Sequence, residues 1–394
     1  MPLKYLFFFA CLPLAAVAQA PLNGRVVDRH TQQPVPYASV VVVGTTRGTT
    51  ANAEGEFTLA LPRLPATVAA FGLGYRRDSA RVTGPAPALV LRVSPAPVEL
   101  PAVQPASYAA QLLRRAYRQV QRTRAQAAYG QAFYRQVTRN DGRPNEVLEA
   151  VWNVRVSPAG LDGSCLAQGR YGAQPAFLHL ANFALYAKIV GEFCGVAALD
   201  TTDSHAVVCA DPDRYFVLHY QGVTPRGPHQ LAEVAYESRP GIKQVQGSVF
   251  IDLASYQVLH ARATRATEIT LSTPRASVRA GSVTVEADFQ PTPAGAALNY
   301  ITCRLSAQVA RTRKRDVSVL AESLTSFYDL RPAPTGLPYA GPDAVADDLA
   351  AIKRKVYDPA YWRDNSLVKR TPLEEDILRS FEAKKAFGTL LKPE

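Results

Sequence analysis

A chain of 394 residues is long enough for two or three domains, each able to bury its own core without disulfide or metal staples. With 47% hydrophobic and 20% charged residues, it is too apolar and too weakly charged to be intrinsically disordered. The net charge of +11 comes mostly from arginines, and no aromatics interleave the one tight cluster, Arg311, Arg313, Lys314 and Arg315, which argues against a nucleic-acid partner.

At the amino end Lys4 precedes an apolar run from Leu6 to Ala16 that is too short to span a bilayer. Ala16 and Ala18 form an A-x-A site, so residues 1–18 read as a signal peptide and Gln19 as the first mature residue. The competing site at Ala18 and Ala20 would put Pro21 immediately after the cut, and Phe8-Phe9-Ala10 before Cys11 is a poor lipobox. Export to the periplasm, with the outer membrane as a place of association, is the expectation. No later stretch reaches the ~18 uninterrupted apolar residues of a membrane helix. The mature chain keeps Cys165, Cys194, Cys209 and Cys303, for which three pairings are open in an oxidising compartment. Cys194 with Cys209 closes the shortest loop, and buried free thiols are the alternative.

From Leu22 to Val98, short β-branched runs (24–28, 38–43, 56–61, 67–71 and 88–93) alternate with turn signals such as Asn52-Ala-Glu-Gly55. A small β-sandwich over 19–98 follows. Pro95, Pro97, Pro101 and Pro105 mark an extended linker, placed at 99–106. Ser107 then reads as the N-cap of an amphipathic helix through Arg124, with Ala109, Leu112, Leu113, Ala116 and Val120 on its apolar stripe. Strand-like runs follow at 129–137, 147–156, 205–209, 215–220, 231–236, 246–251, 257–264, 283–289, 298–309 and 320–330. Their polar outer positions suggest one large curved or half-closed antiparallel sheet with a wet face, so 107–340 reads as a helix-plus-sheet domain. The helical carboxyl tail, 341–394, has a helix from Asp343 to Val356 and an aromatic turn, Tyr357-Asp-Pro-Ala-Tyr-Trp362, that anchors it. A capping box with proline at the first helical position, Thr371-Pro-Leu-Glu374, opens a last helix that Gly388 ends. The fold class is mainly β: a seven-stranded-type sandwich, a helix with a large curved antiparallel sheet, and a short helical tail.

Gly24-Arg-Val-Val-Asp28, Pro34-Val-Pro-Tyr-Ala-Ser-Val40, Gly48-Thr-Thr50, Asn52-Ala-Glu-Gly-Glu-Phe57 and Gly72-Leu-Gly-Tyr75 together resemble the carboxypeptidase-regulatory-like domain. The resemblance implies a transthyretin-like sandwich of the kind that precedes the plug of TonB-dependent outer-membrane receptors or opens periplasmic proteins without assigned activity. It implies no peptidase chemistry. Gly247-Ser-Val-Phe-Ile-Asp252 with Ser255-Tyr-Gln-Val-Leu259 resembles the paired strands of lipoprotein-carrier-like half-barrels, whose concave sheet can hold an acyl chain or an extended segment. The aromatic turn and capping box of the tail are similar to the carboxyl end of the same periplasmic proteins.

No G-x-S-x-G elbow, P-loop, H-E-x-x-H or dinucleotide fingerprint occurs, and no cofactor is expected. The densest polar group is Asp200, Asp203, His205, Asp211 and Asp213, with Cys209 among them. Such carboxylates near a histidine could bind a cation or do acid–base work, whereas the plainer reading is a solvated loop leading into the next strand. A triad from Asp203, Ser204 and His205 is geometrically implausible, because neighbours in one loop rarely converge. The sequence therefore points to a non-catalytic envelope binding or scaffold protein, with other envelope proteins or an apolar or peptidic ligand as partner. The alternatives are a hydrolase built on the Asp200–Asp213 loop and an apolar-ligand carrier.

Overall fold

The computed structural model describes residues 21–45, 47–84, 88–96, 107–174, 176, 180, 206–242, 244–266, 276–334, 336–340, 348–364, 370–384 and 386–387. The signal segment and the 99–106 linker lie outside these residues.

The amino-terminal part is built from β1 (Leu22–Asp28), β2 (Ser39–Val42), β3 (Gly48–Thr50), β4 (Glu56–Leu59), β5 (Ala66–Phe71), β6 (Tyr75–Arg76), β7 (Asp78–Val82) and β8 (Leu89–Pro95). They form two four-stranded sheets, ordered β4-β1-β8-β6 and β3-β2-β5-β7. Alternating side chains of both sheets meet in a core around Val26, Val40, Phe57, Val68 and Leu91, as period-two patterning requires. All five runs anticipated from the sequence are strands; the short β3, β6 and β7 complete the sandwich. The polar turn works as its composition suggests: Asn52 Oδ1 accepts from the backbone N–H groups of Glu54 (3.0 Å) and Glu56 (2.8 Å).

α1 (Ser107–Thr123) lays Ala109, Leu112, Leu113, Ala116 and Val120 on the second unit and turns its arginines outward. That unit is one antiparallel sheet of β9 (Ala128–Asn140), β10 (Arg143–Ser157), β11 (Gly160–Ala173), β12 (Phe216–Arg226), β13 (His229–Ser238), β14 (Val245–Asp252), β15 (Val258–Ala266), β16 (Ala276–Gln290), β17 (Ala297–Arg311) and β18 (Lys314–Arg331). The ladder runs β11-β10-β9-β18-β17-β16-β15-β14-β13-β12. Although separated from them in the ladder, β17 also touches β10 and β11, so the sheet curls. Its inner face, with Tyr134, Trp152, Ile251, Leu259 and Ile301, packs with α1 into the main core.

Three expectations need correction. The last helix, expected to run up to Gly388, ends at Ala383, and Phe387 lies in an isolated bridge with Gly172. Of the anticipated strand 205–209, the described residues 206–209 are not a strand: they bend, and the consecutive apolar side chains Val207 and Val208 both sink into the inner core. Conversely β11, glycine-rich and poor in β-branched residues, is a full strand held by its twelve-position register with β10.

The outer face is covered at both ends of the sheet. In-register partners Val151, Phe133, Ser326, Tyr300, Asp288 and His260 form one row across five neighbouring pairs and share this face. Over one end of the row lies the tail. α2 (Pro212–Tyr215) leads into β12 and α3 (Asp348–Lys353) joins the inner core, while α4 (Pro359–Asp364) and α5 (Pro372–Ala383) seat Trp362, Ile377, Leu378 and Phe381 on the outer side of β9–β11. The anticipated capping box is present, with Thr371 accepting from the Glu374 N–H and the Glu374 carboxylate accepting from the Thr371 N–H. The sandwich covers the other end. Both outermost strands meet other parts of the chain: β11 bridges Ala340 at Ser164 and Phe387 at Gly172, and the Pro225 carbonyl of β12 accepts from Gly74 N–H at 3.1 Å.

Candidate functional site

Of the sequence-derived site residues, Asp200, Asp203, His205 and Cys194 lie outside the described residues, so the Cys194–Cys209 pairing does too. Asp211 and Asp213 stand at the start of α2, both substantially exposed, and each accepts a hydrogen bond from Arg114 of α1. Slight burial works against the Asp213 carboxylate, but the Arg114 hydrogen bond prevails and holds it below its ordinary range. Asp211 does not cap α2 through its side chain. The two aspartates thus tie a loop to α1. Among the described residues no three His, Cys, Asp or Glu side chains gather in a metal-binding geometry. Cys165, on β11, carries a free thiol.

A buried polar cluster lies where the sandwich meets the sheet. Arg226, at the end of β12, donates to Asp288 Oδ1 of β16 at 2.8 Å and to the Leu259 carbonyl at 2.8 Å. His260 of β15 faces Asp288 Oδ2 at 3.4 Å, and Asn299 of β17 donates to Oδ1 at 2.9 Å. Asn299 also reaches across the junction, donating to Ser39 Oγ at 3.1 Å and accepting from Thr50 Oγ1 at 3.4 Å. Burial would raise the Asp288 carboxyl, but Arg226, His260 and Asn299 outweigh it and hold the group below its usual range.

Above this cluster Tyr37 of the sandwich packs on Tyr300 of β17 with ring centroids 5.5 Å apart. Burial pushes the Tyr37 phenol up to about 12 and the Tyr300 phenol well above its ordinary value, so both hydroxyls stay protonated at neutral pH. A cleft of about 210 Å³ opens between the two units, walled by Tyr37, Phe71, Tyr75 and Tyr300 with Arg226 and Asp288 at its base. Chemically it offers aromatic faces, hydroxyl donors and a neutralised ion pair. Ser39 is hydrogen-bonded to Asn299, and the His260 imidazole is turned to Asp288, so the serine lacks the adjacent base that nucleophilic catalysis needs.

A second cluster joins the tail to the sheet. Glu149 accepts from Arg135 and Arg170, each at 2.7 Å, and these arginines also pair with Glu374 and Glu382 of α5. Arg170 lies between the rings of Trp362 and Phe387, 4.9 and 4.6 Å from their centroids.

Sequence reasoning missed Arg226, His260, Asp288 and Asn299 because they come from separate strands with no fixed spacing. The available signal was Asp288 itself, a charge between Ala287 and Phe289 in an apolar strand. Tyr37 and Tyr75 belong to segments that carried the resemblance, but nothing in those segments says what they face.

No curated protein matches this chain. Among solved structures it is similar to a LolA superfamily protein from Nitrosomonas europaea, with 11% identity over 58% of this chain and 94% of that one and a TM-score of 0.23. Residues 22–103 match the family model of the CarboxypepD_reg-like domain, and the chain carries that domain at its amino-terminal end.

Proposed function

We propose that this is a non-catalytic binding or scaffold protein of the cell envelope, exported by residues 1–18 and working in the periplasm, at or near the outer membrane. The carrying observation is that two buried carboxylates at the joints of the fold, Asp288 and Glu149, are each claimed by arginines, which suits rigid support of surfaces better than proton transfer. The CarboxypepD_reg-like domain supports the same reading, being a regulatory-like rather than a catalytic module. No described helix is long and apolar enough to cross a membrane. Among the described residues the inner face of the curled sheet is filled by its own side chains and by α1, which favours scaffolding over carriage of an acyl chain there. The hydrolase alternative is weakened because Arg114 already engages Asp211 and Asp213. Partners are then other envelope proteins or a small or peptidic ligand.

Crosslinking in intact cells followed by native mass spectrometry tests this. The expected result is a protein starting at Gln19, recovered from the envelope in a stoichiometric complex. Recovery of uncleaved chain from the cytosol would overturn the reading. So would a hydrolytic activity that disappears on Asp211→Ala with Asp213→Ala.

A further inference from the structure

We propose that the cleft between the sandwich and the sheet binds one neutral, hydroxyl-bearing ring: a single glycosyl unit of an envelope glycan. The inference rests on the binding role above and names a ligand class for it.

Size is the first constraint. At about 210 Å³ the cleft lies below the ~300–1,000 Å³ of drug-sized sites, so it takes one ring and not an extended chain. The walls are the second. Four aromatic rings, Tyr37, Phe71, Tyr75 and Tyr300, offer flat faces against which the C–H face of a sugar can pack. Hydrogen bonding is the third. Tyr300 is 8% exposed and lines the cleft, so its hydroxyl would be desolvated by an occupant. A purely apolar occupant would leave that hydroxyl unsatisfied, which is unfavourable in a buried site. Charge is the fourth. Arg226 and Asp288 already neutralise each other at the base, so a charged ligand would bring an uncompensated charge against a buried ion pair. A ring bearing hydroxyls, each both donor and acceptor, meets all four conditions.

The backbone at Tyr37 sets the direction of this wall. Tyr37 has φ of 55°, a left-handed conformation unfavourable for a bulky aromatic residue, and it projects its ring onto Tyr300 beside the cleft. Non-glycine residues held this way cluster at ligand clamps.

The test is saturation-transfer NMR on the full mature chain with soluble neutral cello-, chito-, xylo- and malto-oligosaccharides. At least one should bind saturably through a single ring. Tyr300→Phe, which deletes one oxygen and keeps the wall, should weaken binding about tenfold without lowering the melting temperature. Tyr37→Ala should abolish binding, and Arg114→Ala on the far helix should leave it unchanged. Absence of saturable binding by every sugar, or an affinity untouched by Tyr300→Phe, overturns the proposal, as does saturation by aromatic peptides in place of sugars. None of these outcomes bears on recovery of an envelope complex, so the glycan assignment and the scaffold role fail separately.

Discussion

Glu149, wholly buried on β10, stands directly opposite Arg135 on β9 and accepts its hydrogen bond at 2.7 Å. Arg170, opposite on the other side in β11, binds the second carboxylate oxygen, so one negative charge bridges two positive ones in the sheet. Glu149→Gln removes the buried anion between Arg135 and Arg170 and leaves two buried guanidinium groups facing a neutral amide. The expected cost is about 3–5 kcal/mol, read as a fall in the urea midpoint at unchanged slope. A loss below about 1 kcal/mol would mean that Glu374 and Glu382 suffice to balance the arginines.

The same residue sets a pH window. Burial alone would raise its carboxyl, but Arg135 and Arg170 outweigh burial and hold it at about 2, against 4.5 for an ordinary glutamate. A carboxyl depressed in the folded state binds its proton more readily in the unfolded chain. Its stabilisation is therefore complete above pH 4.5 and drains away as pH falls from there towards 2. Urea midpoints measured across that interval should fall more steeply for the wild type than for Glu149→Gln.

Trp362 is 2% exposed, packed against Phe133 and Val151 with the Arg170 guanidinium over its ring. Trp362→Ala empties that seat at a cost of about 3–5 kcal/mol, borne by the contact between tail and sheet. Limited proteolysis should then release the tail faster than it cleaves the β-domains, whereas uniform digestion would show that the tail does not depend on this anchor.

At the junction, Arg226→Ala deprives Asp288 of its strongest partner in a buried setting, with an expected penalty of about 3–5 kcal/mol. Because Asn299 ties the same cluster to Ser39, calorimetry should show the sandwich melting apart from the sheet in the variant. Asp211→Ala, which loosens an exposed ion pair, should move stability by no more than about 1 kcal/mol.

Much of the architecture was legible in the chain. The Thr371-Pro-Leu-Glu374 box opens α5 because both of its hydrogen bonds are local, and such geometry depends on four consecutive residues alone. The alternating runs of the sandwich and of β12 to β18 were likewise written into side-chain periodicity. β11 was not, because Gly169 and Gly172 serve neighbours: a Cβ at either position would meet Ile352 or Phe381 at 2.9 Å. The junction cluster was illegible for a different reason. Arg226, Asp288 and Asn299 converge only through the register of the sheet, and Ser39 joins them from 260 residues away in the chain.

Among the described residues the ten-stranded ladder does not close into a barrel, which gives it two rims that could recruit a strand from another molecule. One rim is met by Gly74 of the amino-terminal module and the other by Ala340 and Phe387 near the opposite terminus. Trimming the polypeptide from either end would therefore bare a raw margin, and truncated forms should self-associate more readily than the intact chain.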